Sequence, residues 1–454
     1  MKAIVKYIIP AMLAMPIVAM AQNTNSGYFV EEYTYRHQLN PAFGNENEYV
    51  SLPALGNFNV ALNGNLNLTD VLYNVNGKTT TFLNPMVSVE ELMSNLEDKN
   101  TLGVNLKMDI LSIGFKGLGG YNTIGINARV NENTTIPKAL FSLAKEGATN
   151  TTYDITDFNA YATAYVEVAL GHSRNINEHL RIGATLKFLV GAGNVDAEFE
   201  KAQLTLGENA WNAVTNATIQ SSIKGMSYTH AKNNNTGHEY VDGIDVDKAG
   251  IGGYGAAIDL GAVYTLNEDW EFSASVLDLG FIQWSETHVA STNGDQTFTT
   301  ADYTFNVNDD ATNSFDNEMD KLKDDISALY ELNDMGDSGS RIKKLGATVN
   351  VGVRYSMPFY RKLSVGLLSS TRFQGDYSST ECRLSANIAP CKIFSAGVNV
   401  VTGTYGTGYG WLINFHPKGF NLFLGMDRTV TKLAKQGVPL SSNASVNLGI
   451  NFPF

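Results

Sequence analysis

Residues 57–68, NFNVALNGNLNL, alternate along their whole length. Phe58, Val60, Leu62, Leu66 and Leu68 fall on one side of an extended chain, with Gly64 among them; Asn57, Asn59, Asn63, Asn65 and Asn67 fall on the other. Successive side chains of a strand point to opposite faces, so the spacing predicts a strand with one apolar and one wet face. The period recurs. Ile124, Ile126, Ala128 and Val130 alternate with Thr123, Gly125, Asn127 and Arg129, and Ala164, Val166, Val168 and Leu170 with Tyr165, Glu167 and Ala169. Leu180, Ile182, Ala184, Leu186, Phe188 and Val190 alternate with Arg181, Gly183, Thr185 and Lys187, and Val349, Val351, Val353 and Tyr355 with Asn350, Gly352 and Arg354. Either a lipid-facing wall around a wet lumen or a soluble sandwich yields this alternation; the charge and glycine on the polar side fit the lumen wall.

Further strands are expected over residues 104–115, 254–266, 270–284, 363–373, 377–387, 394–402, 410–416, 420–430 and 446–454, many joined by short polar turns such as Asn267-Glu268-Asp269. Such a meander leaves no room for helical crossovers and predicts an up-and-down antiparallel sheet, which removes its edges by closing. The expected fold is all-β: a closed antiparallel transmembrane barrel of about fourteen strands, with twelve or sixteen as alternatives. Two segments read instead as loop helices: residues 136–146 (IPKALFSLAKE) and the acidic residues 314–332, with Phe315, Met319, Leu322, Ile326 and Leu329 on one stripe.

The ends of the chain sharpen the membrane reading. Lys2 and Lys6 precede an apolar stretch over residues 8–20, and Ala19-Met20-Ala21 reads as a cleavage site, which predicts a signal peptide over 1–21. Beyond it no apolar run reaches the ~20 residues of a spanning helix, whereas a spanning strand needs only ~9–11 residues with every second one apolar. At the other end Val446, Leu448, Ile450, Phe452 and Phe454 alternate to the last residue, and a final strand closing on Phe resembles the signal that the outer-membrane assembly machinery recognises. The outer membrane of a Gram-negative bacterium is the expected location. The charge balance, 32 Lys and Arg against 45 Asp and Glu, argues against nucleic acid as a partner. Cys382 and Cys391 are a candidate disulfide if the chain is exported, or two unpaired residues.

Short motifs then suggest relatives. LNPAF, residues 39–43, resembles the Asn-Pro-Ala motif near the mature N-terminus of FadL-type transporters. IPKALFSLAKEG, EHLRIGATLKFLVG (178–191) and SVLDLGFIQW (275–284) resemble an uncharacterised family of Bacteroidota outer-membrane proteins, domain of unknown function 5723. The resemblance implies a FadL-like barrel over 57–454 and an N-terminal plug over 22–56, with Asn40, Pro41 and Ala42 as plug residues. By extension it implies passage of a hydrophobic small molecule. Related barrels serve secretion or assembly, so an envelope-protein partner is the alternative, alongside the outer-membrane lipid itself.

Alternation makes Arg129, Glu167, Arg181, Lys187, Asp259 and Arg354 the candidate polar lining of the lumen. AIDLGAVY (257–264) and VLDLGFIQW (276–284) both set Asp before Leu-Gly, so Asp259 could pair with Arg181, Lys187 or Arg354, and both aspartates could instead fix turns or lumen hydrogen bonds. Catalysis is not expected. SYTHAKNNN (227–235) resembles the signature of outer-membrane phospholipases, but Lys232 stands where the serine nucleophile belongs, leaving His230 without one. DGIDVDKAG (242–250) lacks the spacing and closing Glu of a calcium loop. GIGGYG (250–255) and GTGYG (406–410) do not join a strand to a helix, so they offer no phosphate loop. No metal site and no cofactor is expected.

Overall fold

The computed structural model describes residues 24–454 apart from 46, 52, 54–55, 148–150, 234–236, 305–313 and 431–442; the expected signal peptide lies outside the described residues. Strand pairing runs in a ring. In chain order the wall strands are β1 (Asn57–Gly64), β2 (Lys99–Gly117), β3 (Gly120–Pro137), β4 (Asn159–Asn175), β5 (Leu180–Leu206), β6 (Gly253–Thr265) and β7 (Trp270–Trp284). They continue as β8 (Ala347–Ser356), β9 (Leu363–Phe373), β10 (Ser379–Cys391), β11 (Phe394–Gly403), β12 (Gly408–Phe415), β13 (Asn421–Met426) and β14 (Ala444–Pro453). Each pairs antiparallel with its sequence neighbours, and β14 returns to β1 with Val446 opposite Val60 and Leu448 opposite Phe58. The fold is therefore a closed fourteen-strand antiparallel barrel.

The two rims differ. At one, consecutive strands are joined by short turns, one of the tightest being Leu118-Gly119 between β2 and β3. Both residues have positive φ, 53° and 74°, as a two-residue hairpin with the right twist requires, and glycine tolerates that conformation without a steric penalty. At the other rim two of the seven connections, those over 374–378 and 404–407, are short and five are long. One carries the four-residue helix α1 (Leu68–Val71), a small hairpin and α2 (Val89–Asn95), in which Ser88 caps the helix by accepting from Glu91 N at 3.0 Å. Helix α3 (Lys138–Glu146) follows β3, and Phe141 packs with Leu92 and Leu96 of the α2 region. β5 is 27 residues long; its upper part pairs with a strand at Trp211–Ile223, which continues through His288–Ser291 into an extended sheet beyond the rim. Between β7 and β8 lies α4 (Phe315–Ala328).

One expectation needs correction in its bounds, and three strands were missed. The strand expected over 57–68 leaves the wall at Gly64, because Asn65 turns its side chain onto β2, accepting from Thr101 N at 2.6 Å. The rim strands Trp211–Ile223, Met226–Lys232 and Glu239–Val246 lack strict alternation and were not legible as strands.

The polarity of the barrel is inverted relative to a water-soluble core. On β5, Leu186 and Phe188 are 54% and 57% exposed, while Lys187 between them is 5% exposed. On β11, Val398 is 60% exposed and Asn399 only 5%. Every second residue thus presents an apolar side chain outward and a polar one inward, the reverse of a soluble sandwich. Exposed aromatics mark both rims: Tyr254, Phe281, Phe373 and Tyr409 at the rim that carries the long connections, Tyr264, Trp270, Phe272 and Phe415 at the rim with short turns only. Paired aromatic girdles bound the apolar band of transmembrane barrels.

A cation placed in that band tests the polarity. Val398→Arg is expected to lower unfolding stability in lipid by about 2–4 kcal/mol, the cost of a cation on the lipid face near mid-depth. Urea titration of the protein refolded into vesicles measures it. An unchanged midpoint contradicts a lipid-facing exterior.

Candidate functional site

Residues 24–45 run inside the barrel and touch the wall on all sides. Tyr28 Oη donates to Ser273 Oγ of β7 at 3.1 Å, Gln38 Nε2 to Asp109 of β2 at 2.7 Å, and Asn350 Nδ2 of β8 to the Leu39 carbonyl at 3.0 Å. Two short 3-10 turns, Asn25–Gly27 and Thr34–Gln38, keep the segment compact. Its own apolar core, foreign to the polar lumen, is aromatic: Tyr28 meets Phe43 edge-on at 5.1 Å, and Tyr33 meets Phe423 of β13 at 4.9 Å. Asn40 holds the bend before Pro41. Its Oδ1 accepts from Ala42 N at 2.9 Å, and its Nδ2 donates to the wall carbonyls of Ala262 and Ala274 at 3.3 and 3.2 Å. Wall glycines make this approach possible, since a Cβ at Gly183 would stand 2.2 Å from the Pro41 carbonyl and one at Gly261 2.0 Å from Asn40 Oδ1. Asn40 and Ala42 are fully buried, and Pro41 packs against the wall beside them.

The start of the segment is clamped near the opposite rim. Asp427 accepts from the backbone N–H groups of Asn25 and Ser26 at 3.0 and 2.5 Å, two charge-assisted bonds to one carboxylate. Arg383, 2% exposed, donates to Ser26 Oγ at 3.4 Å and to the Asp427 carbonyl at 3.0 Å, and pairs with Glu381 at 2.9 Å. Glu381 in turn accepts from Asn25 Nδ2 at 2.8 Å.

Across the lumen, five consecutive strands each contribute one charged side chain to a chain of ion pairs. Arg129 of β3 pairs with Glu167 of β4 at 3.0 Å and with Asp278 of β7 at 3.0 Å. Lys187 of β5 lies 2.6 Å from both Asp278 and Asp259 of β6. Asn127 Nδ2 adds a bond to Glu167 at 2.8 Å. Charges this buried are tolerated only because each is met by an opposite charge or a hydrogen bond.

Asp278 joins through a defect in the wall. Ile258 pairs with Leu279 and Leu260 with Val276, so β7 carries one residue too many at that point. The extra residue adopts φ 58°, a left-handed conformation that aspartate tolerates better than most side chains, and its N–H donates to Asp259 Oδ1 at 2.7 Å. Strict alternation would have sent Asp278 outward with Val276; the bulge turns it in. The repeated Asp-Leu-Gly was the only trace of this in the sequence.

Of the expected lumen residues, Arg129, Glu167, Lys187 and Asp259 come together in this network. Arg181 sits apart toward the short-turn rim, where it donates to Ser173 Oγ at 3.0 Å. Arg354, at the same rim, pairs with Glu271 at 3.2 Å and with Glu31 of the inner segment. Lysine at 187 is therefore the partner of Asp259, not Arg181 or Arg354. Of the two alternatives for Cys382 and Cys391 the structure has the unpaired one: both are free and exposed. They lie nine residues apart near opposite ends of β10, which separates them by about 30 Å, whereas a bridge needs Cα atoms within ~7 Å. His230 stands on the rim hairpin 3.2 Å from Asp334. Among the described residues no group of three or more His, Cys, Asp or Glu is placed to hold a metal ion.

Above the inner segment lies a cavity of about 50 Å³ between the ion-pair network and the clamp. Lys107, Arg129, Asp278, Arg372, Glu381 and Arg428 are among its lining, with Asn, Ser and Thr side chains between them. Lys107, Arg372 and Arg428 were not anticipated, although Lys107 falls on the polar side of a strand that alternation had found.

A protein-family model described as a family of unknown function, DUF5723, matches residues 41–427, most of the chain. The chain belongs to this family. No curated protein matches this DUF5723 member. Among solved structures it is similar to the Pseudomonas putida toluene transporter TodX, at 10% identity, 91% of this chain and 92% of the other covered, and a TM-score of 0.40. A Pseudomonas aeruginosa FadL homologue is 9% identical with 96% and 98% covered and a TM-score of 0.42. The CymD monoaromatic hydrocarbon channel is 10% identical with 98% and 96% covered and a TM-score of 0.38.

Removing Lys187 isolates the network from its central cation. Lys187→Met leaves Asp259 and Asp278 facing each other and is expected to destabilise the barrel by about 3–5 kcal/mol. Lys201→Met, which breaks an exposed pair with Asp295, is expected to cost about 1 kcal/mol or less. Denaturant midpoints of the two variants in one detergent compare them, and equal losses contradict a buried network.

Proposed function

We propose that this DUF5723 protein is a plugged outer-membrane barrel that passes a small molecule between the long-connection rim and the short-turn rim. The observation that carries the reading is a cavity inside a closed polar lumen, bounded below by a segment of the same chain that is tied to the wall by hydrogen bonds rather than merged into its strands. A stopper made this way leaves the wall complete when it shifts, because every wall strand keeps both of its neighbours. Asn40, Pro41 and Ala42 act as its lower hinge and the Asp427 clamp as its upper tie. Long connections outside and short turns inside match the usual orientation of such barrels, and the signal peptide expected over 1–21 would export the chain.

A hydrophobic cargo is what the resemblance of residues 39–43 implies. In this chain its support is an apolar cluster on the upper lumen wall, formed by Tyr165, Leu189, Ala257, Ile282 and Trp284. The cavity itself is walled mainly by polar and charged groups, which favours a cargo carrying at least one polar end. A second reading, a barrel that binds another envelope protein, is favoured by the sheet that β5 and residues 211–223 build beyond the rim. Affinity purification from membranes with a stable stoichiometric partner would support it.

Loosening the upper tie separates the two. Asp427→Ala removes both bonds to the start of the plug and is expected to raise conductance in planar bilayers several-fold over the wild-type protein. Solute flux in proteoliposomes should rise with it. If wild type and variant both match empty vesicles, passage is the wrong reading.

A further inference from the structure

The cavity above the plug is unevenly charged. Its two carboxylates are already engaged: Asp278 by Lys187 and Arg129, Glu381 by Arg383 and Asn25. Two arginines on the facing wall reach the same cavity, and neither has a carboxylate within 4.0 Å among the described residues. Arg372 donates to Gln374 Oε1 at 2.8 Å and to Asn131 Oδ1 at 3.3 Å. Arg428, 6% exposed, donates to the carbonyls of Tyr405 and Gly406 at 3.5 and 3.2 Å. Neutral acceptors orient a guanidinium without cancelling its charge, and its planar fork matches a two-oxygen anionic group. Asn63 adds a third donor. Its Nδ2 is buried beside the cavity and has no hydrogen-bond partner among the described residues, an arrangement that an acceptor inside the cavity would complete.

We infer that this cavity is a binding site for an oxyanion, a carboxylate or phosphate group, held by Arg372, Arg428 and Asn63. The inference deepens the passage reading and rests on it for how the anion reaches the lumen. The clamp makes occupancy and plug position depend on each other. Asn25 lines the cavity and bonds to Glu381 and Asp427, so an anion beside Arg428 competes with those carboxylates for positive field. Two sources share this chemistry. One is a free small anion; the other is the acidic head of an amphiphile whose tail lies along the apolar cluster around Trp284.

Isothermal titration of the full-length protein in detergent, at fixed ionic strength, tests the site with inorganic phosphate, acetate and octanoate. Saturable binding of at least one is expected, weakened tenfold or more by Arg372→Gln and by Arg428→Gln. Lys392→Gln, in an exposed turn at the far rim, should leave it unchanged. Octanoate binding well above acetate identifies the amphiphile; phosphate or acetate binding as tightly identifies the free ion. No saturable binding of any of the three overturns the inference, and so does undiminished binding by the Arg372→Gln/Arg428→Gln double variant. Should the variants fail to fold, the wild-type protein still decides: the binding anion must raise its unfolding midpoint above that in equal chloride, and no rise overturns the site. Binding without conductance defeats passage and keeps the site, whereas conductance without binding does the reverse.

Discussion

A sheet whose outer face is apolar and whose edges are long cannot end in hydrocarbon, because unpaired N–H and C=O groups there would have nothing to bond. The pairing of β14 with β1 answers that constraint, and much else follows from it. Once the ring is closed, alternation has only one sense: what faces out meets lipid, and what faces in must be hydrated, paired or packed. Asparagine on β1 and lysine on β5 are stable positions only because closure puts them on the inside.

Closure with fourteen strands creates a second problem. The interior is too wide for wall side chains alone to fill, as they do in smaller barrels. The chain fills it in two ways. Toward the short-turn rim, residues 24–45 bring an aromatic core that is buried against inward-facing glycines; above, ion pairs from five neighbouring strands span part of the lumen. Both fillings are specific. Glycine at 183 and 261 admits Asn40 and Pro41, and a bulge at Asp278 delivers the carboxylate that Lys187 and Arg129 share. The cavity left between the fillings inherits its charge from what they do not neutralise.

The legibility of these features in the sequence follows their range. β7, expected over residues 270–284, and β9, expected over 363–373, have the same bounds in the structure, because a two-residue period is a local property of each strand. Lys187 and Asp259 were legible as inward residues for the same reason, and Lys107 lay on a strand already found. Arg383, Asp427 and Arg428 also lie within expected strands, but their roles were not legible, since Asp427 and Arg383 meet Asn25 and Ser26 across more than 350 positions of sequence. The rim strands were missed because, lying outside the apolar band, they have no reason to alternate.

Alternation alone determined that this chain is a meander of strands with one wet face, and the expected count of about fourteen is the number observed. Sequence order even named four members of the ion-pair network. Which cation meets which carboxylate was decided only by tertiary structure, because register and the bulge at residue 278 set distances that no single strand encodes. The same holds for the two cysteines, which the sequence left open as a bridge or as two unpaired residues. An extended backbone adds about 3.4 Å per residue and keeps them apart.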